Sequence, residues 1–299
     1  MGQERLLFSI IVPTYARPAQ LATCLAALVR LECPGDRFEV IVVDDGSENP
    51  PEDVIASFRD RLELTLLVQP HAGPATARNA GAAQARGKFL AFTDDDCAPA
   101  SDWLQTLAAR FAMASDRVVG GRILNSLPDN PYSTASQLLV DHLYAYYNAN
   151  HSKARFFTSN NLALPADRFN AMGGFDTTFP RAAAEDREFC DRWLRHRYRM
   201  TYASEVVVYH IHALTFRTFW RQHFNYGRGA YHFHQVRTRR DQEPIKLEPL
   251  AFYLNLVCYP FSQAPGRRAS LLASMLVISQ VANAAGFFAG SQKAEPLSR

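Results

Sequence analysis

An α/β fold, a mainly parallel sheet flanked by helices with a helical and partly apolar C-terminal appendage, is what this sequence predicts. Three observations point there. Short apolar runs alternate with helical stretches over the first hundred residues. Polar residues gather where each run ends, the carboxyl edge at which open α/β sheets bind ligands. With 299 residues, 47% of them hydrophobic, the chain can bury a full core without disulfide staples.

Leu6 to Val12 is a continuous apolar run closed by Pro13, as expected of a strand buried on both faces. Apolar residues at helical spacing follow from Ala19 to Leu31. A second strand, Phe38 to Val43, stops at Asp44-Asp45-Gly46-Ser47, and a helix is expected over Pro51 to Arg59. The third, Leu62 to Val68, leads through Gly73-Pro74 into an alanine-rich helix ending near Arg86. The fourth, Lys88 to Thr93, delivers Asp94-Asp95-Asp96. Three adjacent carboxylates repel one another, so the fold must supply solvent, a donor or a cation to relieve them. A hard divalent cation, Mg2+ or Mn2+, would do so and leave room for phosphate oxygens; a solvated acidic turn is the plainer alternative.

The other exits carry matching chemistry. Pro13-Thr14-Tyr15-Ala16-Arg17 offers a ring for a base and a cation for a phosphate. Asp44 and Asp45 suit a nucleobase or ribose, or simply a turn with Gly46. Arg78, in the first turn of its helix, suits the base or the carboxylates, or a surface ion pair. No Gly-x-Gly-x-x-Gly follows the first strand and no Gly-x-x-x-x-Gly-Lys-Ser/Thr occurs, so both glycine-rich phosphate cradles are absent. A bound diphosphate would then rely on a cation.

These motifs, Ser9-Ile10-Ile11-Val12-Pro13-Thr14-Tyr15, Val42-Val43-Asp44-Asp45-Gly46-Ser47, Ala77-Arg78-Asn79-Ala80-Gly81 and Phe92-Thr93-Asp94-Asp95-Asp96, resemble the inverting glycosyltransferases of family two over roughly residues 7 to 230. The resemblance implies the GT-A fold, a Rossmann-like mixed sheet flanked by helices. It implies that Tyr15, Asp45 and Arg78 hold the nucleobase, Asp94 the ribose, and Asp96 a divalent metal bridging the donor diphosphate. Asp44 and Asp95 would be supporting members.

Further along, a helix from Trp103 to Met113 and a strand from Val118 to Leu124 are expected, then an aromatic, polar stretch between Asp129 and Phe157 that suits packing or an acceptor. The segments Thr158 to Leu164, with Asn161, and Gly173-Gly174-Phe175-Asp176 resemble those lining the donor sugar and acceptor. Glu185-Asp186 opens a helix. Acids there suit the helix dipole, but inverting transfer also needs a carboxylate to take the acceptor hydroxyl's proton. The resemblance places that base at Asp186, with Glu185 and Trp193 near the acceptor. Processive members carry Gln-x-x-Arg-Trp; here Phe189-Cys190-Asp191-Arg192-Trp193 keeps the Arg-Trp without the Gln, which predicts transfer of one sugar or few. Two short strands, Met200 to Ala203 and Val206 to Tyr209, end at His210-Ile211-His212. The family's histidine after its last core strand completes the metal site, and His210 is the better match.

The expected division is a catalytic domain over 1–235, its nucleotide half about 1–125 and its acceptor half about 126–235, with a helical tail over 236–299. In that tail Ala269 to Gly290 is long enough to cross a bilayer, although Ser279, Gln280 and Asn283 share one helical face, which suits an interfacial helix or packing on another chain. A net charge of +3 argues against nucleic acid as partner. Five scattered cysteines indicate a reducing compartment, and no leader precedes the first strand, so a cytoplasmic protein at the cytoplasmic face of a membrane is expected. The partners expected are a nucleoside diphosphate sugar, a saccharide or lipid-linked acceptor in bacterial-type surface polysaccharide or glycolipid synthesis, the membrane surface, and possible oligomer copies. The rival readings are a nucleotidyltransferase and a non-catalytic sugar-nucleotide or glycan-binding module.

Overall fold

The computed structural model describes residues 6–33, 35–179, 183–242 and 247–292. Its strands are β1 Phe8–Thr14, β2 Phe38–Asp44, β3 Leu64–Val68, β4 Phe89–Phe92, β5 Cys97–Pro99, β6 Arg117–Asn125, β7 Leu162–Pro165 and β8 Arg199–His210. They form one sheet in the order β3-β2-β1-β4-β7-β6-β8-β5. The first four are mutually parallel, as the alternation of strand and helix requires; β7 pairs antiparallel to β4, and β5 antiparallel to β8. Every side chain of β1, β2 and β4 is buried, which is why their sequences are apolar runs rather than alternations. The buried acid within β2, Glu39, is neutralised by Arg86, whose Nη2 donates to it at 2.7 Å, and accepts from Ser9 Oγ at 2.6 Å.

The helices are α1 Pro18–Leu28, α2 Glu52–Ala56, α3 Pro74–Gln84, α4 Trp103–Met113, α5 Pro131–Tyr147, α6 Ala166–Ala171, α7 Glu185–Arg195, α8 Phe216–Asp241, α9 Leu250–Cys258, α10 Pro260–Gln263 and α11 Gly266–Gln292. Two differences from the sequence reading have local causes. The two short strands expected after Met200 are one, β8, because the polar interruption Ser204-Glu205 lies on an exposed stretch where Glu205 pairs with Arg110 of α4. The helix expected over Pro51 to Arg59 shrinks to α2, since the following residues turn back to bury Phe58 and Leu62.

The chain folds as two compact units. One comprises residues 1–124, 147–180 and 186–211; the other comprises 125–146, 181–185 and 212–299. The first holds the sheet and a core in which Phe8, Val12, Leu25, Val42, Ala91, Trp103, Leu107 and Val206 pack together. The second has its own core of Ala135, Leu138, Leu139, Phe219, Leu256, Leu272 and Leu276 from α5, α8, α9 and α11, joined by Leu214 just before α8. The expected limit at residue 235 falls inside α8, a continuous helix of 26 residues.

Candidate active site

The parallel strands deliver Thr14, Asp44 and Thr93 to one edge, and β4 runs on into the acidic triplet. Backbone pairing then fixes the neighbours. Cys97 N donates to Asp94 O at 3.1 Å, Ile211 N donates to Asp96 O at 2.8 Å, and the antiparallel register sets Cys97 opposite His210. His210 therefore reaches Asp96 by strand geometry, with Nε2 3.3 Å from Oδ1.

Each carboxylate of the triplet has a different environment. Asp95 is buried and accepts from Thr14 Oγ1 at 2.7 Å and Arg17 Nη1 at 3.3 Å. Burial, then the adjacent Asp96, pushes it up to about 6 against the opposing pull of Arg17 and Thr14. Asp96 accepts from Arg17 Nη1 at 3.2 Å. Asp94 accepts from Arg78 Nη2 at 2.7 Å and keeps 29% of its side chain exposed. Burial alone would lower the His210 imidazole, but the hydrogen bond and charge of Asp96, with Asp94 behind it, hold it above its ordinary value. Arg17 is likewise raised: burial works against its charge, and Asp95 and Asp96 outweigh it. The cations Arg17 and Arg78 are thus the relief that the three acids require.

Ligand atoms of Asp96, Cys97 and His210 lie within 4.8 Å of one another. Carboxylate oxygens and an imidazole suit a hard or borderline divalent cation. Cys97 is a poorer donor: it is buried, and burial followed by the charges of Asp96 and Asp94 raises its thiol well above the usual range, so it remains protonated. Asp96 also opens onto a cleft of about 210 Å3 lined by Ala19, Gln20, Thr23 and Ile211.

Beside this cluster, the second edge turn is built largely from its own side chains. Asp44 is fully buried and accepts from Ser47 N at 3.0 Å and from Ser47 Oγ, so it closes the turn. Pro13 is buried within β1 and offers no open face. Asp45 accepts from Gln69 Nε2 at 2.7 Å, Ala72 N at 2.9 Å and Gly73 N at 2.8 Å, with His71 Nδ1 2.9 Å away. It ties the turn to the loop after β3. That loop supplies a residue the sequence reading missed: His71, 58% exposed along its side chain, lies with its ring 4.4 Å from that of exposed Tyr15. The signal was available, since Gln69-Pro70-His71 stands at the same carboxyl edge.

Three of the residues expected on the acceptor side are engaged within the fold. Asn161 is buried. Its Oδ1 accepts from Trp103 Nε1 at 3.0 Å and its Nδ2 donates to Arg122 O at 2.9 Å and Val206 O at 3.0 Å, so it ties α4, β6 and β8 together. Trp193 is fully buried, donates to Arg199 O at 2.9 Å and packs on Phe189 and Tyr198. Gly174, at φ +72°, is pressed against Asn79, where a Cβ would overlap Oδ1; its carbonyl accepts from Arg192 Nη2 at 2.6 Å. Gly173, at φ +76°, has open space where a Cβ would be and remains compatible with a ligand approaching the backbone. Glu185 is buried at the start of α7, and Asp186, next to it and half-buried, accepts from Arg187 N at 2.7 Å.

The sequence model of glycosyl transferase family 2 matches residues 9–176. Among curated proteins, validoxylamine A glucosyltransferase of Streptomyces hygroscopicus subsp. limoneus is 31% identical over 67% of this chain and 50% of its own length. Glycosyltransferase AglE of Haloferax volcanii is 27% identical over 74% and 72%. The chain spans about half the length of the first of these. Among solved structures, the mannosyltransferase PcManGT of Pyrobaculum calidifontis, in complex with GDP-Man and Mn2+, superposes with a TM-score of 0.64 at 19% identity, covering 93% of this chain and 87% of that one. S. aureus TarS 1-349 gives 0.56 at 17% identity, covering 96% and 90%. The fold is therefore of the GT-A type, and, because the family match takes in the whole run from β1 through the acidic triplet to Gly174 and Phe175, the chain belongs to glycosyl transferase family 2.

Proposed function

We propose that this chain transfers a sugar from a nucleoside diphosphate sugar to a hydroxyl group with inversion at the anomeric carbon. The observation that carries the reading is the junction at the sheet's carboxyl edge, where Arg17 meets Asp95 and Asp96, His210 meets Asp96, and the adjacent Asp94 pairs with Arg78. A divalent cation, Mn2+ or Mg2+, would be held by Asp94, Asp96 and His210, and would offset the charge of the departing diphosphate. The mannosyltransferase neighbour that holds GDP-Man and Mn2+ supports this ligand chemistry.

The chain's own residues have separate tasks. Tyr15 and His71 present rings to the nucleobase, with Asp45 and Gln69 fixing their loop, and Arg78 keeps Asp94 in place for the ribose. Arg17, half exposed, can turn from the acids to the diphosphate. Asp186 takes the proton of the acceptor hydroxyl as that oxygen bonds to the anomeric carbon and the bond from that carbon to the phosphate oxygen breaks, releasing nucleoside diphosphate. Glu185, next to Asp186 in the chain, and the open backbone at Gly173 serve the acceptor in this reading. The glucosyl- and mannosyltransferases among the matches favour a hexosyl donor, and the acceptor is a saccharide or lipid-linked glycan of surface polysaccharide or glycolipid synthesis, met at the cytoplasmic face of a membrane.

A donor panel incubated with and without Mn2+ or Mg2+ tests the reading. Metal-dependent release of nucleoside diphosphate and a product of inverted anomeric configuration by NMR are expected. Release of pyrophosphate from a nucleoside triphosphate would overturn it in favour of nucleotidyl transfer, and binding without turnover of any donor would leave only a binding module.

A further inference from the structure

Helix α11 of the second unit is apolar on more than its buried face. Leu272 and Leu276 join the core of the unit, yet Leu271, Val277, Val281 and Phe288 point to solvent, each at least 45% exposed. A helix of a water-soluble bundle keeps the face away from its core polar. Leu250 and Leu254 of α9 extend the exposed apolar surface.

Two further observations decide what covers it. The first is charge. From Phe216 to Gln292 the sequence has eight arginines and one lysine against three acids. On α8, Arg217, Arg221, Arg228 and Arg239 recur at spacings of four, seven and eleven residues, which keeps them within about 40° of one another along roughly 33 Å of helix. These four and Arg267 make no ion pair or hydrogen bond among the described residues. A row of unpaired arginines is complementary to an anionic surface.

The second observation is packing. A Cβ at Gly227 of α8 would overlap the carbonyl oxygen of Asn283, and one at Gly286 of α11 would overlap that of Phe224, so the two helices lie backbone to backbone. Gly290 meets Tyr231 a turn further on. α11 therefore cannot enter the hydrocarbon alone. It would carry α8 with its arginines, which are among the costliest residues to place there.

We infer that this unit docks on an anionic bilayer with α11 lying in the plane of the interface, its Leu271-Val277-Val281-Phe288 stripe inserted and the α8 arginines meeting lipid phosphates. The inference deepens the membrane contact of the proposed function and rests on that part of it alone. The length that makes α11 a candidate to span is thus used along the surface instead.

The test is co-sedimentation of the full chain with phosphatidylcholine vesicles, with and without phosphatidylglycerol. Binding is expected only to the anionic vesicles, released by carbonate washing and weakened by salt. Arg221→Ala with Arg239→Ala should weaken it about thirtyfold, from the roughly fivefold effect of each arginine near such a surface. Val281→Asp with Phe288→Asp should abolish it, with the circular dichroism spectrum and donor turnover on a soluble acceptor unchanged. Equal binding to neutral vesicles, retention through carbonate, or a concentration-dependent dimer that Val281→Asp disperses would each overturn the inference while leaving turnover intact. Absent turnover with the expected vesicle pattern would instead remove the transferase reading and keep this one.

Discussion

Replacing Asn161 by leucine separates a ligand-lining role from a structural one. In the structure three hydrogen bonds of 2.9 to 3.0 Å are lost at once, and buried Trp103 N–H and Val206 C=O each lose the Asn161 partner. Each buried group left short of its partner costs about 1–3 kcal/mol, so the variant should lose roughly 2–6 kcal/mol. That is a large share of the roughly 5–15 kcal/mol by which domains are stable. Denaturant unfolding followed by tryptophan fluorescence measures it. Because the chain has two compact units, Trp220 of α8 should first be replaced by phenylalanine, leaving Trp103 and Trp193 to report on the sheet unit. The midpoint should fall at unchanged slope, and below the transition the donor KM should match the parent. A loss under about 1 kcal/mol together with a raised donor KM would refute the reasoning, since Asn161 would then face the ligand.

Asp186→Asn should abolish transfer, by about a hundredfold or more, while donor affinity by calorimetry stays within twofold of the parent. Asp96→Ala and His210→Ala should each weaken Mn2+-dependent donor binding about tenfold or more, with no effect on binding measured in chelator. His71→Ala should raise the donor KM several-fold by removing the ring against Tyr15, as base stacking contributes about 1–3 kcal/mol. His223, buried in the second unit beside Ser136 Oγ and without a partner for Nδ1, is lowered to about 4, by burial first and then by His212. Its folded value lies below the ordinary 6.5, so the neutral form stabilises the fold fully above that value and the contribution is lost as pH falls toward 4. The loss should reach about 3 kcal/mol, and His223→Leu should flatten the dependence of the unfolding midpoint on pH across that window.

What the sequence disclosed and what it hid follow from one distinction. Strand exits are legible because a buried parallel strand must be an apolar run, and its end is marked by the first polar residue; hence the sequence alone sets Thr14, Asp44 and Asp94 on one edge. Which way a polar side chain then turns depends on partners far away in the chain. Asp44 and Asp45 look alike in sequence, yet the first closes its own turn on Ser47 and the second accepts from residues 24 to 28 positions later. Asn161 depends on β6 and α4, and Trp193 on the backbone of Arg199. Unit boundaries were hidden for the same reason, since α5 joins a core whose other members begin some seventy residues on. Glu188, which fits any solvated helix by sequence, is buried under a fork from Arg192, whose other donors hold the carbonyls of Met172 and Gly174. The Arg-Trp pair thus braces the glycine turn from behind. An edge group is therefore a candidate for ligand contact only while part of its surface or bonding capacity stays uncommitted. By that criterion Tyr15, Arg17, His71, Asp94 and Asp186 keep their candidacy, whereas Asp44, Asn161 and Trp193 are the frame that holds them.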